Sequence, residues 1–304
     1  MRILVTGKRG QLAKSIKKVV ITSHDKADGS NSNNEFIFVG REELDLGDEG
    51  MMKRYFDKNK FDIVINCAAY THVDNAEQEP DLANQINHLA VKYLASMAHN
   101  QQAMLIHIST DYVFSGESNK PYLETDDPNP INVYGKTKLA GEQALQTVMP
   151  TNALIIRTSW VYSEYGNNFV STMLKLGKKQ DEVSVITDQM GSPTYATDLA
   201  QLILKIIKVK ELNEVNQATE IYHYSNDGEI SWYDFAIQIF ELAKINCTVN
   251  MITSDNFQTL AKRPQNSSLR NSKANRKFGV SSLFWKKSLG RCMMQIKDES
   301  QNQI

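Results

Sequence analysis

The sequence predicts an α/β protein built on a doubly wound, mostly parallel sheet, with a smaller C-terminal α/β part. Three observations predict it. From Ile3 to Arg157, short apolar runs rich in β-branched residues alternate with stretches of helical periodicity, the pattern of parallel strands joined by crossover helices. A turn carrying Gly7 and Gly10 follows the first of these runs directly. The length of 304 residues, 41% hydrophobic and 23% charged, suits one large domain or two modest ones.

The first strand is Ile3–Thr6, and the residues from Ser15 to Val20 can continue as a helix after the turn. Strand, glycine turn and helix is the context of a dinucleotide-binding, Rossmann-like unit. Gly7 permits the tight turn, Gly10 lets backbone approach a pyrophosphate at a helix N-terminus, and Ala13 is small enough for helix to pack on strand. Residues 24–34 are polar and read as a surface loop. Glu35–Val39 is a second strand, and Arg41 just beyond it favours a 2′-phosphate and hence NADPH. Asp45 and Leu46 open a helix that ends near Lys58. Phe61–Asn66 is a third strand, followed by the small residues Ala68 and Ala69, where a ligand could approach the backbone. A helix is expected from Leu82 to His99, with Leu82, Ile86, Leu89, Tyr93, Leu94 and Met97 on one face.

Met104–Ser109 is a fourth strand, and it delivers Thr110 to the same sheet edge. A proline-rich loop then leads to Tyr134 and Lys138, four residues apart and so on one face of a helix. A lysine cation beside a phenol favours the phenolate, which predicts a Tyr134 pKa below the ordinary value of about 10. Ala153–Arg157 is a further strand. The remaining expectations are a helix through Leu176, a strand Val183–Thr187, a turn 188–194, a helix Ala196–Val209, and a strand Ile221–Tyr224. A helix Trp232–Ala243 capped by Ser231, and a last helix anchored by Phe284 and Trp285, complete the chain, with a frayed tail from Lys297.

A net charge of −1 argues against nucleic acid as a partner. Cys67, Cys247 and Cys292 are too scattered for a disulfide framework or a zinc site, and suit a reducing compartment. No apolar run approaches a membrane span, and the N-terminus turns to glycine too soon for a signal peptide. A cytoplasmic protein is expected. The six histidines form no metal-binding spacing.

Several stretches together resemble the extended short-chain dehydrogenase/reductases, and among them the branch that reduces dTDP-linked keto sugars. They are VTGKRGQL (5–12), NCAAYTHVD (66–74), STDYVFSG (109–116), NVYGKTKLAGE (132–142), RTSWVY (157–162), GNNF (166–169) and DQMGSPT (188–194). The resemblance implies reduction of the C4 ketone of dTDP-4-dehydro-β-L-rhamnose by NADPH, with NADH as the alternative coenzyme. It implies Tyr134 as proton donor, Lys138 as its partner, and Thr110 as third member of the catalytic set. It assigns Gly7, Gly10, Gln11, Leu12, Asp45, Leu46, Ala68, Ala69 and Tyr70 to the cofactor, and Thr110, Asp111 and Trp160 to the sugar nucleotide. Arg263, in an RP…S.L pattern, is a candidate for the substrate diphosphate. Residues 1–160 are expected to bind NADP(H) and residues 161–304 mainly the substrate, with some segments returning to the first domain. The resemblance also allows a homodimer, with Mg²⁺ at a subunit contact that the sequence itself does not support. Dehydratases of this superfamily carry Asp-Glu after the threonine, whereas here Asp111 is followed by Tyr112. An epimerase, another nucleotide-sugar reductase and a non-catalytic NADP-binding subunit remain as alternatives.

Overall fold

The computed structural model describes residues 1–24, 34–212 and 218–301. Nearly all of the polar stretch 24–34 therefore lies outside the described residues.

The chain runs β1 (Arg2–Thr6), α1 (Gln11–His24), β2 (Glu35–Val39), α2 (Glu49–Lys58), β3 (Ile63–Asn66), α3 (Val73–Gln78) and α4 (Pro80–Asn84). A π turn (Gln85–Leu89) leads into α5 (Ala90–Asn100), β4 (Met104–Thr110), α6 (Val133–Val148) and β5 (Ala153–Thr158). Then follow β6 (Val161–Tyr162), α7 (Phe169–Gly177), β7 (Glu182–Ile186), β8 (Met190–Gly191), β9 (Thr194–Tyr195), α8 (Ala196–Leu212) and β10 (Glu220–His223). The last elements are β11 (Ile230–Ser231), α9 (Trp232–Ala243), β12 (Thr248–Ile252), α10 (Ser272–Phe278) and α11 (Trp285–Gln301).

Six strands form one sheet in the order β10-β5-β4-β3-β1-β2, and every pairing in it is parallel. Successive side chains along a strand leave opposite faces, and both faces of this sheet are covered, as in parallel sheets generally. Ile3, Val5, Ile65 and Ile106 pack with Ile16 of α1, Leu199 and Ile203 of α8 and Phe278 of α10. Leu4, Val64 and Ile155 pack on the other side with Met52 of α2, Leu94 of α5 and Leu145 of α6. The register brings Asn66 opposite His107 and Thr110 opposite Thr158, so the carboxyl ends of β3, β4 and β5 share one edge. A separate core under the small lobe gathers Tyr162, Val170, Met173, Val185, Phe235, Ile239, Trp285 and Leu289. There β7 pairs with β12, β8 with β11 and β6 with β9.

Three expected elements differ in ways that matter for the site. The helix expected from Asp45 begins at Glu49, because Asp48 caps it by accepting from Met51 N at 2.8 Å. Asp45 is thereby left in the preceding turn, where it accepts from Gly47 N. The single helix expected from Leu82 to His99 is interrupted by the π turn, the kind of bulge that gathers at functional sites. Buried in that turn, Asn87 exchanges two hydrogen bonds with the backbone of Tyr70, at 2.9 and 3.0 Å. Finally, α11 continues through Lys297 to Gln301, where the sequence predicted a frayed tail.

Helix α6 starts cleanly because Asn132 accepts from Gly135 N at 2.7 Å, while its own amide donates to Lys262 O at 2.8 Å. Two glycines let α6 sit close. A Cβ on Gly135 would stand 2.1 Å from the Tyr112 carbonyl oxygen, and one on Gly141 would stand 2.1 Å from that of Asn87. Neither obstacle is a flexible side chain. Gly135→Ala must therefore push α6 away from the end of β4; we expect a loss of about 1–3 kcal/mol in urea unfolding, with a larger fractional loss of activity.

Candidate active site

One cavity of about 890 Å³ opens along the carboxyl edge of the sheet. That is within the usual size of ligand clefts, ~300–1,000 Å³. Gly7, Gly10, Gln11, Leu12, Arg41, Asp45, Leu46, Ala68, Ala69, Tyr70, Thr110, Asp111, Tyr134, Lys138 and Trp160 all line it. Arg263 does not. Its guanidinium is engaged by Asp74 of α3, at 3.2 Å to Oδ1 and 2.5 Å to Oδ2, and so staples the 261–263 segment to the large domain. The structure therefore gives Arg263 a pairing with Asp74 and a place beside Tyr112, which lines the cavity, rather than a place on the wall itself.

At the glycine turn, Gly7 has φ +72°, and a Cβ there would stand 3.0 Å from Ala68 N. The turn thus requires glycine twice over, by conformation and by close approach. It leads directly into the N-terminus of α1, with Lys14 N bonded to Gly10 O at 3.1 Å. Backbone amides and a helix dipole so placed fit the pyrophosphate of a dinucleotide. At the far rim, Arg41 pairs with Asp45 at 2.8 Å and Arg9 with Glu42 at 2.5 Å. Arg9 also lines the cavity; in the sequence it was indistinguishable from an ordinary exposed arginine of a loop.

At the centre, Tyr134 and Lys138 stand on one face of α6, and Thr110 closes β4. The Thr110 hydroxyl lies close enough to the Tyr134 phenol to lower its pKa, and it accepts from Tyr112 N at 3.1 Å. It also donates to Asp111 Oδ1 at 3.0 Å. Burial pushes the Tyr134 phenol up to about 12; the nearby Thr110 hydroxyl pulls the other way, and the Asp111 charge adds to the rise. The expectation that Lys138 acidifies Tyr134 is therefore corrected. Lys138 is 1% exposed, and its Nζ turns beneath the cavity to Ile108 O at 2.6 Å. Burial lowers Lys138 to about 8, against the supporting charge of Glu142. In this arrangement the phenol keeps its proton throughout the neutral range, as a donor must.

Asp111 is 3% exposed; its Oδ2 makes no hydrogen bond of good geometry among the described residues, and the Ser267 side chain lies near enough to the carboxylate to favour its charged form. Burial raises the Asp111 carboxyl to about 6.

The opposite wall is aromatic. Trp160 stacks on Trp232, with ring centroids 3.5 Å apart and planes within 8°. Trp160 itself has φ +47°, an uncommon conformation for a bulky residue. Its indole lies over Gly191, where a Cβ would come within 2.5 Å of the ring. The sequence offered only a glycine–proline turn at 191–193 and a helix start at Trp232; neither the stack nor the need for Gly191 shows in spacing. Gly166 and Asn167, from the GNNF stretch, also reach the cavity.

Among the described residues no group of three or more His, Cys, Asp or Glu side chains is placed to hold a metal ion. None of their helices is long and apolar enough to cross a membrane.

A parallel sheet with a glycine turn at its carboxyl edge, and a tyrosine, lysine and threonine converging on the same cleft, defines an extended short-chain dehydrogenase/reductase. The family model described as RmlD substrate binding domain matches residues 1–297. A dTDP-4-dehydrorhamnose reductase of Aggregatibacter actinomycetemcomitans is 40% identical over 294 residues, covering 95% of this chain and 97% of the relative. A crystal structure of such a reductase from Clostridium acetobutylicum superposes with a TM-score of 0.89 at 40% identity, covering 98% of this chain and all of the other. Another, from Bacillus anthracis in complex with NADP, gives 0.87 at 36% identity, with 97% and 99% covered. The chain belongs to the dTDP-4-dehydrorhamnose reductase family.

Proposed function

We propose that this protein reduces the C4 ketone of dTDP-4-dehydro-β-L-rhamnose to dTDP-L-rhamnose with NADPH. The observation that carries the reading is the convergence of Tyr134, Thr110 and Lys138 on the cavity that the glycine turn also lines. The bound nicotinamide supplies the hydride to C4. Tyr134 gives its phenolic proton to the ketone oxygen as negative charge develops there, and Thr110 holds that oxygen and the phenol in line. Lys138 contributes positive charge from beneath and takes the nicotinamide ribose hydroxyls. Gly7, Gly10, Gln11 and Leu12 cradle the pyrophosphate; Asp45 and Leu46 meet the adenosine, and Ala68, Ala69 and Tyr70 flank the nicotinamide half. Arg41, helped by Arg9, faces the 2′-phosphate, which favours NADPH over NADH. Asp111 accepts a sugar hydroxyl, and Trp160 with Trp232 walls the hexose. In this division residues 1–160, completed by β10 and α8, hold the coenzyme, and the small lobe closes over the sugar nucleotide.

The direct test is NADPH oxidation, compared with NADH, in the presence of the dTDP-linked keto sugar. Turnover that requires the keto sugar and yields dTDP-L-rhamnose is expected; absence of turnover with both coenzymes would overturn the reading.

The titrations set a pH profile. Asp111 is a carboxylate above about 6, and Lys138 is a cation below about 8. Both charged forms are needed, so kcat/KM should be bell-shaped, rising through pH 6 and falling through pH 8. Asp111→Asn should remove the acid limb, which initial rates across pH 5–9.5 would show.

A further inference from the structure

Beneath Lys138 lies a chain of buried polar groups that the proposed reaction does not use. Thr6 Oγ1 donates to Asn66 Oδ1 at 2.7 Å, and Ala68 N also points to that oxygen, at 3.3 Å. Asn66 Nδ2 lies 3.1 Å from His107 Nδ1, and His107 Nε2 lies 3.5 Å from Lys138 Nζ. Asn66 and Lys138 are 1% exposed and His107 is fully buried.

The direction of this chain follows from donors and acceptors. A backbone N–H can only donate; Ala68 N is shared between Thr6 Oγ1 and Asn66 Oδ1, at 3.3 Å each, and turning the Asn66 oxygen to it gives it a second acceptor where the flipped amide would face it with a donor. The Asn66 amide nitrogen then points at His107 and donates, so Nδ1 of the ring accepts. Burial, with the nearby charge of Lys138, keeps this histidine neutral. Its one proton therefore sits on Nε2 and is aimed at Lys138. An amine has a lone pair to receive that N–H, whereas an ammonium has none.

We infer that His107, held as its Nε2–H tautomer by Asn66, is a positioning residue that sets the place and the charge balance of Lys138. The inference rests on the reductase reading for its consequence in turnover, and on geometry alone for its effect on Lys138. Two groups favour the ammonium: the Ile108 carbonyl at 2.6 Å and Glu142, one turn along α6. Glu142 is itself held by Arg157 of β5, at 2.6 Å, and by Ser109. His107 opposes them. The other titratable groups on neighbouring elements do not reverse this balance. Tyr134 keeps its proton, and Asp111 is bonded to Thr110. On α3, Asp74 is taken by Arg263 and Glu77 by Val133 N. Burial holds the Cys67 thiol in its neutral form. The π turn offers α6 the amide of Asn87, bonded to Thr137. Burial is the main reason the Lys138 proton is labile, and the N–H of His107 adds to it by facing the amine with a donor.

The test separates the two readings. His107→Asn keeps an acceptor for Asn66 but loses the donor to Lys138, whereas His107→Gln can restore an N–H near the Nε2 position. In protein carrying ¹³Cε-lysine, without ligand, the Lys138 resonance is assigned by its absence in Lys138→Met. Its titration midpoint should rise by about one pH unit in His107→Asn and return towards wild type in His107→Gln. The alkaline limb of kcat/KM should move with it. An unmoved midpoint in His107→Asn would overturn the inference. So would imidazole ¹⁵N shifts of the wild-type protein that place the His107 proton on Nδ1, a measurement that needs no variant to fold. Absence of turnover in wild type would instead overturn the reductase reading and leave the lysine titration as a test of His107.

Discussion

Tyr134→Phe should lower kcat by about 10²–10⁴-fold while leaving coenzyme and substrate binding within a few-fold of wild type. The range is what a positioned general acid contributes, and it corresponds to ~3–5 kcal/mol of transition-state stabilisation. The change deletes one hydroxyl. The ring remains, with its edge-to-face contact to Tyr112 at 5.7 Å between centroids. An interaction made only in the transition state is lost, so kcat and kcat/KM should fall together. Stopped-flow hydride transfer and dissociation constants for NADPH, measured on the same preparation, check both halves. A loss confined to KM would mean that the phenol binds substrate without donating a proton to it.

The second large effect is on stability. Arg157 and Glu142 form an ion pair with side-chain exposures of 2% and 1%, joined through Arg157 Nε and Nη2. The pair ties β5 to α6 directly behind Lys138. Replacing it whole with apolar groups could be neutral, but removing one partner leaves a buried charge uncompensated. Arg157→Met should therefore cost about 3–5 kcal/mol, seen as an earlier urea midpoint with little change in slope. Ser109 would remain as a short-range donor to the carboxylate. The double variant Arg157→Met, Glu142→Leu should recover much of the loss; if it does not, packing and not charge is what the pair supplies.

Much of the site was legible in the sequence because its signals are local. Tyr134 and Lys138 share a helix face by spacing alone, and Gly7 sits where strand gives way to helix. Thr110 and the alanines 68 and 69 fall at strand ends, and parallel strands put such ends on one edge. What was not legible depends on groups far apart along the chain. That Arg263 pairs with Asp74, 189 residues away, shows only in the fold. Gly135 reads as a helix-weakening residue until the Tyr112 carbonyl is seen against it. His107 reads as one polar residue in a buried strand, and its tautomer is fixed only by Asn66 and Ala68 across the sheet. The acidity of Tyr134 is likewise set by its surroundings in the fold. The i, i+4 lysine is present, but its ammonium is drawn down to Ile108 while burial dominates the phenol.

That difference bears on direction of use. A phenol that holds its proton at neutral pH is ready to donate to a developing alkoxide, which suits ketone reduction. The small lobe adds a rigid aromatic wall, Trp160 on Trp232, opposite the catalytic edge. In the proposed reaction this wall and the Thr110–Asp111 corner would bound the hexose.

The most direct measurement follows the hydride itself. The protein is given the dTDP-linked 4-keto sugar and NADPH carrying deuterium on the transferred C4 face, and the product is read by mass spectrometry and proton NMR. One deuterium at C4 of the hexose, with one NADP⁺ formed for each sugar reduced, is the predicted result. A product free of deuterium, or one formed with no net oxidation of the coenzyme, would contradict it.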